Sequence, residues 1–235
     1  CKERRGSILV LPEIRVTGAL LAATQDFLRA QSDVDREAGN ALLVVVAGSR
    51  HVETETGWVN RATVLDTDGD VVWEHDKLLS YRIHDPETIE RLRPALGLNE
   101  HGGIEAIIPG RSLTYCDCSL GRFSVAICVG FFHADVEPVL KGSGATWFFV
   151  PAMTPRTRQL EERAGTLVNS QRAATFVANC AKVGGEKALS FFRLPFRRSE
   201  AVHIDEEGTA GILLTCTFNK QLTLDLIFGG KKTIN

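Results

Sequence analysis

Three β-type runs, each ending on an ionisable residue, constrain this chain more than any other feature. Ile8-Leu9-Val10-Leu11-Pro12 closes on Glu13, Val71-Val72-Trp73-Glu74-His75-Asp76 on Lys77, and Phe123-Ser124-Val125-Ala126-Ile127 on Cys128. Residues 8–11 and 42–47 are continuous apolar stretches, as strands buried on both faces require. Residues 59–65 and 71–75 flank Asp66-Thr67-Asp68-Gly69-Asp70, whose Asp-Gly pair predicts a hairpin. Apolar residues recur at helical spacing over 17–36 and again over 158–175, and a shorter helix is expected over 134–140. Further strands are predicted over 113–116, 123–127, 146–150 and 176–181, then strand-like runs over 188–194, 211–217 and 222–228. Strands alternate with helices in the first two thirds and hairpins dominate after that. This pattern suits a layered α/β fold in which helices cover two packed sheets. Periodicity alone leaves a doubly wound single sheet open. Residues 79–103 dissolve into charge, proline and glycine, which predicts a long loop with a helical turn near 86–92, bordering or covering a binding site.

Length and charge narrow the function classes. No break in composition divides the 235 residues, so they read as one domain, 1–235. A net charge of −2 gives no reason to expect a phosphate-backbone partner, and the basic clusters at 2–5 and 193–198 read as solvated surface, so no direct nucleic-acid binding is expected. No secretory signal is visible and no apolar stretch has the length of a membrane span. The six cysteines therefore read as reduced thiols in a cytoplasmic protein. Cys116-Asp117-Cys118 lacks the two-residue gap of a zinc knuckle and has no second ligand pair, so packing explains it and no metal is expected.

The chemistry centres on Cys128. A buried core cysteine is the ordinary explanation for such a thiol. Its place at a strand end, before Val129-Gly130 and helix-compatible sequence, points elsewhere. At a strand-to-helix corner, free backbone N–H groups favour a thiolate and can hold an oxyanion. With Glu13 as general base, Lys77 as a cation beside the oxyanion and the Val129 N–H as second donor, the three strand ends hold the minimum kit for covalent acyl transfer.

The same residues resemble the nitrilase superfamily of carbon–nitrogen hydrolases. The resemblance rests on Leu11-Pro12-Glu13, Asp76-Lys77-Leu78 and Ala126-Ile127-Cys128, in that order. Ala47-Gly48-Ser49, Asn60, Gly144-Ala145-Thr146 running into Val150-Pro151-Ala152, and Gln171-Arg172-Ala173-Ala174 ahead of Asn179 add to it. It implies an α-β-β-α four-layer sandwich and cysteine-dependent hydrolysis of a non-peptide carbon–nitrogen bond through a thioester. An amide substrate is expected ahead of a nitrile, with no cofactor and with self-association into a homo-oligomer. It also implies a second glutamate that positions the lysine. Glu100 fits best by spacing, and Glu87, Glu90 and Glu105 stay open.

Three departures from the family pattern matter. The aromatic residue and carboxylate expected after the cysteine are replaced by Val129-Gly130, which bears on substrate class. Residues 79–103 lengthen the interval between lysine and cysteine. The strand and helix that open the family's fold are missing ahead of residue 8, so an N-terminally incomplete domain of a longer protein is expected. This supports a different class of function: an assembly or regulatory domain fused to, for example, a synthetase or a bacterial defence reverse transcriptase. A cysteine acyltransferase, which would exclude water, is a further alternative.

Overall fold

The computed structural model describes residues 7–14, 16–31, 42–87, 89, 90, 93, 103–118, 120–154, 157–180, 182, 183, 186, 187, 190–195 and 232–234. The apolar runs become two sheets. The first has the order β1 (Ser7–Val10), β2 (Leu42–Thr54), β3 (Gly57–Leu65), β4 (Val71–Asp76), with β1 parallel to β2 and the rest antiparallel. The second contains β5 (Leu113–Cys118), β6 (Gly121–Val125), β7 (Trp147–Ala152), β8 (Ala174–Asn179), β11 (Phe191–Arg193) and β12 (Lys232–Ile234), in the order β11-β8-β7-β6-β5-β12. A separate two-stranded ribbon pairs β9 (Lys182–Val183) with β10 (Glu186–Lys187). Among the described residues this excludes the single doubly wound sheet.

Two faces of β2 show why the layers form. Val44 and Val46 join one buried cluster with Ala62, Val64 and Trp73, and that cluster continues through Leu113, Phe123, Val125 and Phe149 of the second sheet. Val45 and Ala47, on the alternate positions, pack with Leu21 and Leu28 of α1 (Gly18–Arg29) instead. On the far side, Leu160, Ala164 and Leu167 of α4 (Thr157–Gln171) join the central cluster. The sequence of layers is helix, sheet, sheet, helix. Each fully buried large side chain of this kind stabilises by roughly 1.5–3 kcal/mol.

Several boundaries differ from the sequence pattern for local reasons. Thr17 caps α1, its hydroxyl accepting the Leu20 N–H at 3.1 Å. β2 runs seven residues past the predicted strand because it goes on pairing with β3 across a register shift between Val46 and Ser49. α4 stops at Gln171, since Arg172 takes φ 55° and turns the chain into β8. The helix expected over 134–140 opens as a 3-10 turn, and a separate short helix precedes it. α2 (Val129–Phe132) starts directly after Cys128, His133 is extended, and a 3-10 turn over Ala134–Val136 leads into α3 (Glu137–Gly142). Residues 231–235 carry no strand signal in the sequence, yet β12 pairs antiparallel with β5. The runs at 211–217 and 222–228 lie outside the described residues.

Candidate active site

The ends of β1, β4 and β6 meet. Glu13 follows β1 in a turn that needs Gly48: at φ +59°, a Cβ there would lie 2.3 Å from the Pro12 carbonyl oxygen. Lys77 leaves β4 with its N–H on the Asn60 carbonyl at 2.8 Å. Cys128 occupies the corner itself, at φ 47° and ψ −114°, a conformation costing about 1–3 kcal/mol. Its N–H bonds the Pro151 carbonyl at 2.9 Å and its carbonyl accepts the Phe131 N–H at 2.9 Å. The corner therefore falls on the cysteine and not on Gly130, which is helical. All three side chains are almost fully buried.

Lys77 Nζ is 2.6 Å from Glu13 Oε1 and 2.6 Å from Glu105 Oε2. Glu105, one of the alternatives left open, takes the place expected of Glu100, which lies outside the described residues. Reciprocal contacts bring it there: the Tyr81 N–H donates to Glu105 Oε2 at 3.1 Å, and the Glu105 N–H to the Tyr81 carbonyl at 2.9 Å. Residues 79–83 and 103–105 thus border the site. His51 Nε2 lies 3.2 Å from Glu105 Oε1. Asn60 Nδ2 donates to Glu105 Oε1 at 2.9 Å and to Glu13 Oε1 at 3.0 Å. The Met153 N–H, just past β7, donates to Glu13 Oε2 at 3.0 Å.

Electrostatics follow from this packing. Burial disfavours the Lys77 charge, but Glu13 and then Glu105 outweigh it and hold the ammonium above its ordinary range. Burial also works against the Glu105 charge, yet Lys77, His51 and Asn60 bring its carboxyl down to about 2. Burial first and the Glu13 charge next push the Cys128 thiol well up, while Lys77 and the Met153 N–H pull the other way. Burial therefore favours a protonated thiol over the resting thiolate expected from the corner alone. The Val129 N–H, beside the sulfur, makes no backbone hydrogen bond among the described residues.

An apolar wall adjoins these groups: Ile83 buried, with Ile14, Tyr81, Ile89 and Met153 packed on it. Asn60, His51 and the Met153 N–H were not singled out as site residues from the sequence. Glu105 is among the alternatives that the resemblance leaves open. It is a lone acid in Ile104-Glu105-Ala106-Ile107-Ile108 that stands near the start of its apolar run, whereas Glu13 and Cys128 close theirs. Cys116 and Cys118 pack as expected, Cys116 in the central core and Cys118 against it.

No family model and no curated protein matches the sequence. Solved structures do match. A variant of the Nesterenkonia AN1 amidase from the nitrilase superfamily aligns over 84% of this chain and 74% of its own, with TM-score 0.53 and 19% identity. An amidase from Nesterenkonia sp. aligns over 84% and 73%, with TM-score 0.53 and 18% identity. A third structure, of the same amidase with the acetamide moiety of fluoroacetamide added covalently at its active-site cysteine, aligns over 80% and 69%. Its TM-score is 0.51 and its identity 19%. The likeness is one of fold: this chain has the α-β-β-α arrangement of a nitrilase-superfamily amidase.

Proposed function

We propose that this chain hydrolyses a non-peptide carbon–nitrogen bond, that of an amide, by way of a thioester on Cys128. The observation that carries the reading is the meeting of Glu13, Lys77 and Cys128, from three separate strand ends, in one buried cluster with Glu105. Charges are rarely buried together without a task, and perturbed groups at strand ends mark functional sites.

The geometry supports a definite sequence of steps. Glu13 takes the thiol proton as sulfur attacks the amide carbon. A protonated resting thiol makes this transfer part of the attack. The oxyanion forms beside the Lys77 ammonium and the Val129 N–H. Glu13 returns the proton to the departing amine, which leaves as ammonia or a primary amine. Glu13 then takes a proton from water, the hydroxide displaces sulfur from the thioester, and the proton goes back to Cys128 as the acid leaves. The wall of Ile14, Tyr81, Ile83, Ile89 and Met153 favours an uncharged acyl portion.

Ammonia release from a panel of short aliphatic amides tests the reading. Cys128→Ala should reduce turnover by a factor of at least about 10⁴, in the range seen when a nucleophile is removed. Turnover by Cys128→Ala equal to that of the unmodified protein would overturn the assignment and favour the assembly or regulatory domain.

A further inference from the structure

One residue touches all three charged members of the site. Asn60 is in the middle of β3, fully buried, and opposite His51 on β2. Its carbonyl accepts the Lys77 N–H at 2.8 Å, and its side-chain amide donates to both Glu13 Oε1 and Glu105 Oε1. The amide oxygen is buried with no hydrogen-bond partner among the described residues. An asparagine placed for folding alone satisfies both ends of its amide, because an orphaned buried acceptor costs stability. Here the orientation is set by the two carboxylates, at the expense of the oxygen.

We propose that Asn60 is a positioning residue that keeps Glu13 and Glu105 ionised together around one lysine, and so controls how much of the Lys77 charge reaches the oxyanion. The proposal rests on the catalytic reading above. Two carboxylates and one ammonium leave the buried trio with a net negative charge. Like charges in a shared site drive one carboxylate to take up a proton, and burial drives it the same way. A proton on Glu13 would remove the base. A proton on Glu105 would let Lys77 close on Glu13 alone.

The other donors each serve one side: Met153 N–H serves Glu13, while His51 from β2 and the Tyr81 N–H from the connection after β4 serve Glu105. Apart from Lys77, Asn60 serves both among the described residues. Cys128, arriving from β6, is the remaining titratable group in contact. When the thiol proton moves to Glu13, the hold of Glu13 on Lys77 and on Asn60 weakens. The second N–H of Asn60 stays on Glu105, which keeps Lys77 tethered there with its charge free to face the oxyanion.

Asn60→Leu, close in volume, and Asn60→Met, longer and unbranched, each remove both donors without adding a charge. On an amide that the unmodified protein turns over, kcat should fall about tenfold or more with KM changed less than about threefold, as for an interaction realised in the transition state. The acid limb of the kcat/KM profile should move up by about one pH unit, since losing a donor disfavours the ionised pair. Carbon-13 NMR of the glutamate carboxyls reads the same event without a substrate: Glu105 should take up its proton at higher pH in either variant. A purely structural Asn60 would lower Tm and leave the acid limb and the carboxyl titration in place. Unmoved limb and titration in both variants overturn the proposal. If Cys128→Ala is inactive in the same assay, the catalytic reading survives that outcome, so the two failures are distinguishable.

Discussion

The two sheets bring opposite kinds of chemistry to one place. The four-stranded sheet, with the connection after it, supplies the charge: Glu13, Lys77 and Glu105, with Asn60 and His51 as donors. These groups satisfy one another through side chains. The six-stranded sheet supplies a thiol and two N–H groups, from Cys128, Val129 and Met153, and it holds them through the backbone. Charge on one side is therefore structural as well as chemical, whereas the proposed nucleophile on the other is chemical only. Substitutions should separate the two.

The largest separation is expected between Lys77→Met and Cys128→Ala. Removing Lys77 leaves two buried carboxylates without their cation and should cost about 3–5 kcal/mol, in addition to turnover. Cys128→Ala removes one sulfur and no charge, and should cost about 1 kcal/mol while abolishing turnover. Urea unfolding at pH 7 measures both. Equal losses would break the contrast.

Acid sharpens it further. The Glu105 carboxyl is depressed from 4.5 to about 2. Its contribution is present above its unfolded value near 4.5 and is lost as pH falls towards 2, and in Lys77→Met this loss should largely vanish. His75 on β4 gives an effect of similar size in a different window. Burial takes it from 6.5 to about 4, and its Nδ1 has no hydrogen-bond partner among the described residues. The unfolded chain binds a proton there that the folded one refuses, so stability is full above pH 6.5 and declines as pH falls towards 4. The slope is at most about 1.4 kcal/mol per pH unit. His75→Leu should flatten stability between pH 6.5 and 4 and leave the Glu105 loss below 4.5 unchanged. An unchanged slope above 4.5 would remove His75 from the account.

What the sequence revealed, and what it concealed, follows the same division. Glu13, Lys77 and Cys128 are legible because each ends a β-type run, and strand ends of one layered fold can converge. Glu105 ends no such run and follows a stretch of charge and proline, and its pairing with Tyr81 places it on Lys77. Asn60 enters the sequence only as an accessory to the family resemblance, with no role attached, and His51 reads as an ordinary mid-strand polar residue. Their shared target becomes visible only through the cross-strand register that sets them opposite each other. Four layers could be expected from continuous apolar runs such as 42–47, whose alternate residues enter different cores. The early start of α2 could not, because left-handed backbone at a cysteine has no sequence signal.

The central claim is that a buried, protonated thiol is nonetheless the reactive one, because Glu13, Lys77 and the Val129 N–H surround the place where an amide would sit. Peptide mapping after brief exposure to fluoroacetamide tests it most directly. Cys118 and Cys180 are partly exposed and Cys128 is buried, so unassisted alkylation governed by access favours the first two. The account predicts a single early adduct on Cys128, slowed in Lys77→Met. Early adducts on Cys118 and Cys180, with Cys128 unmodified, would contradict it.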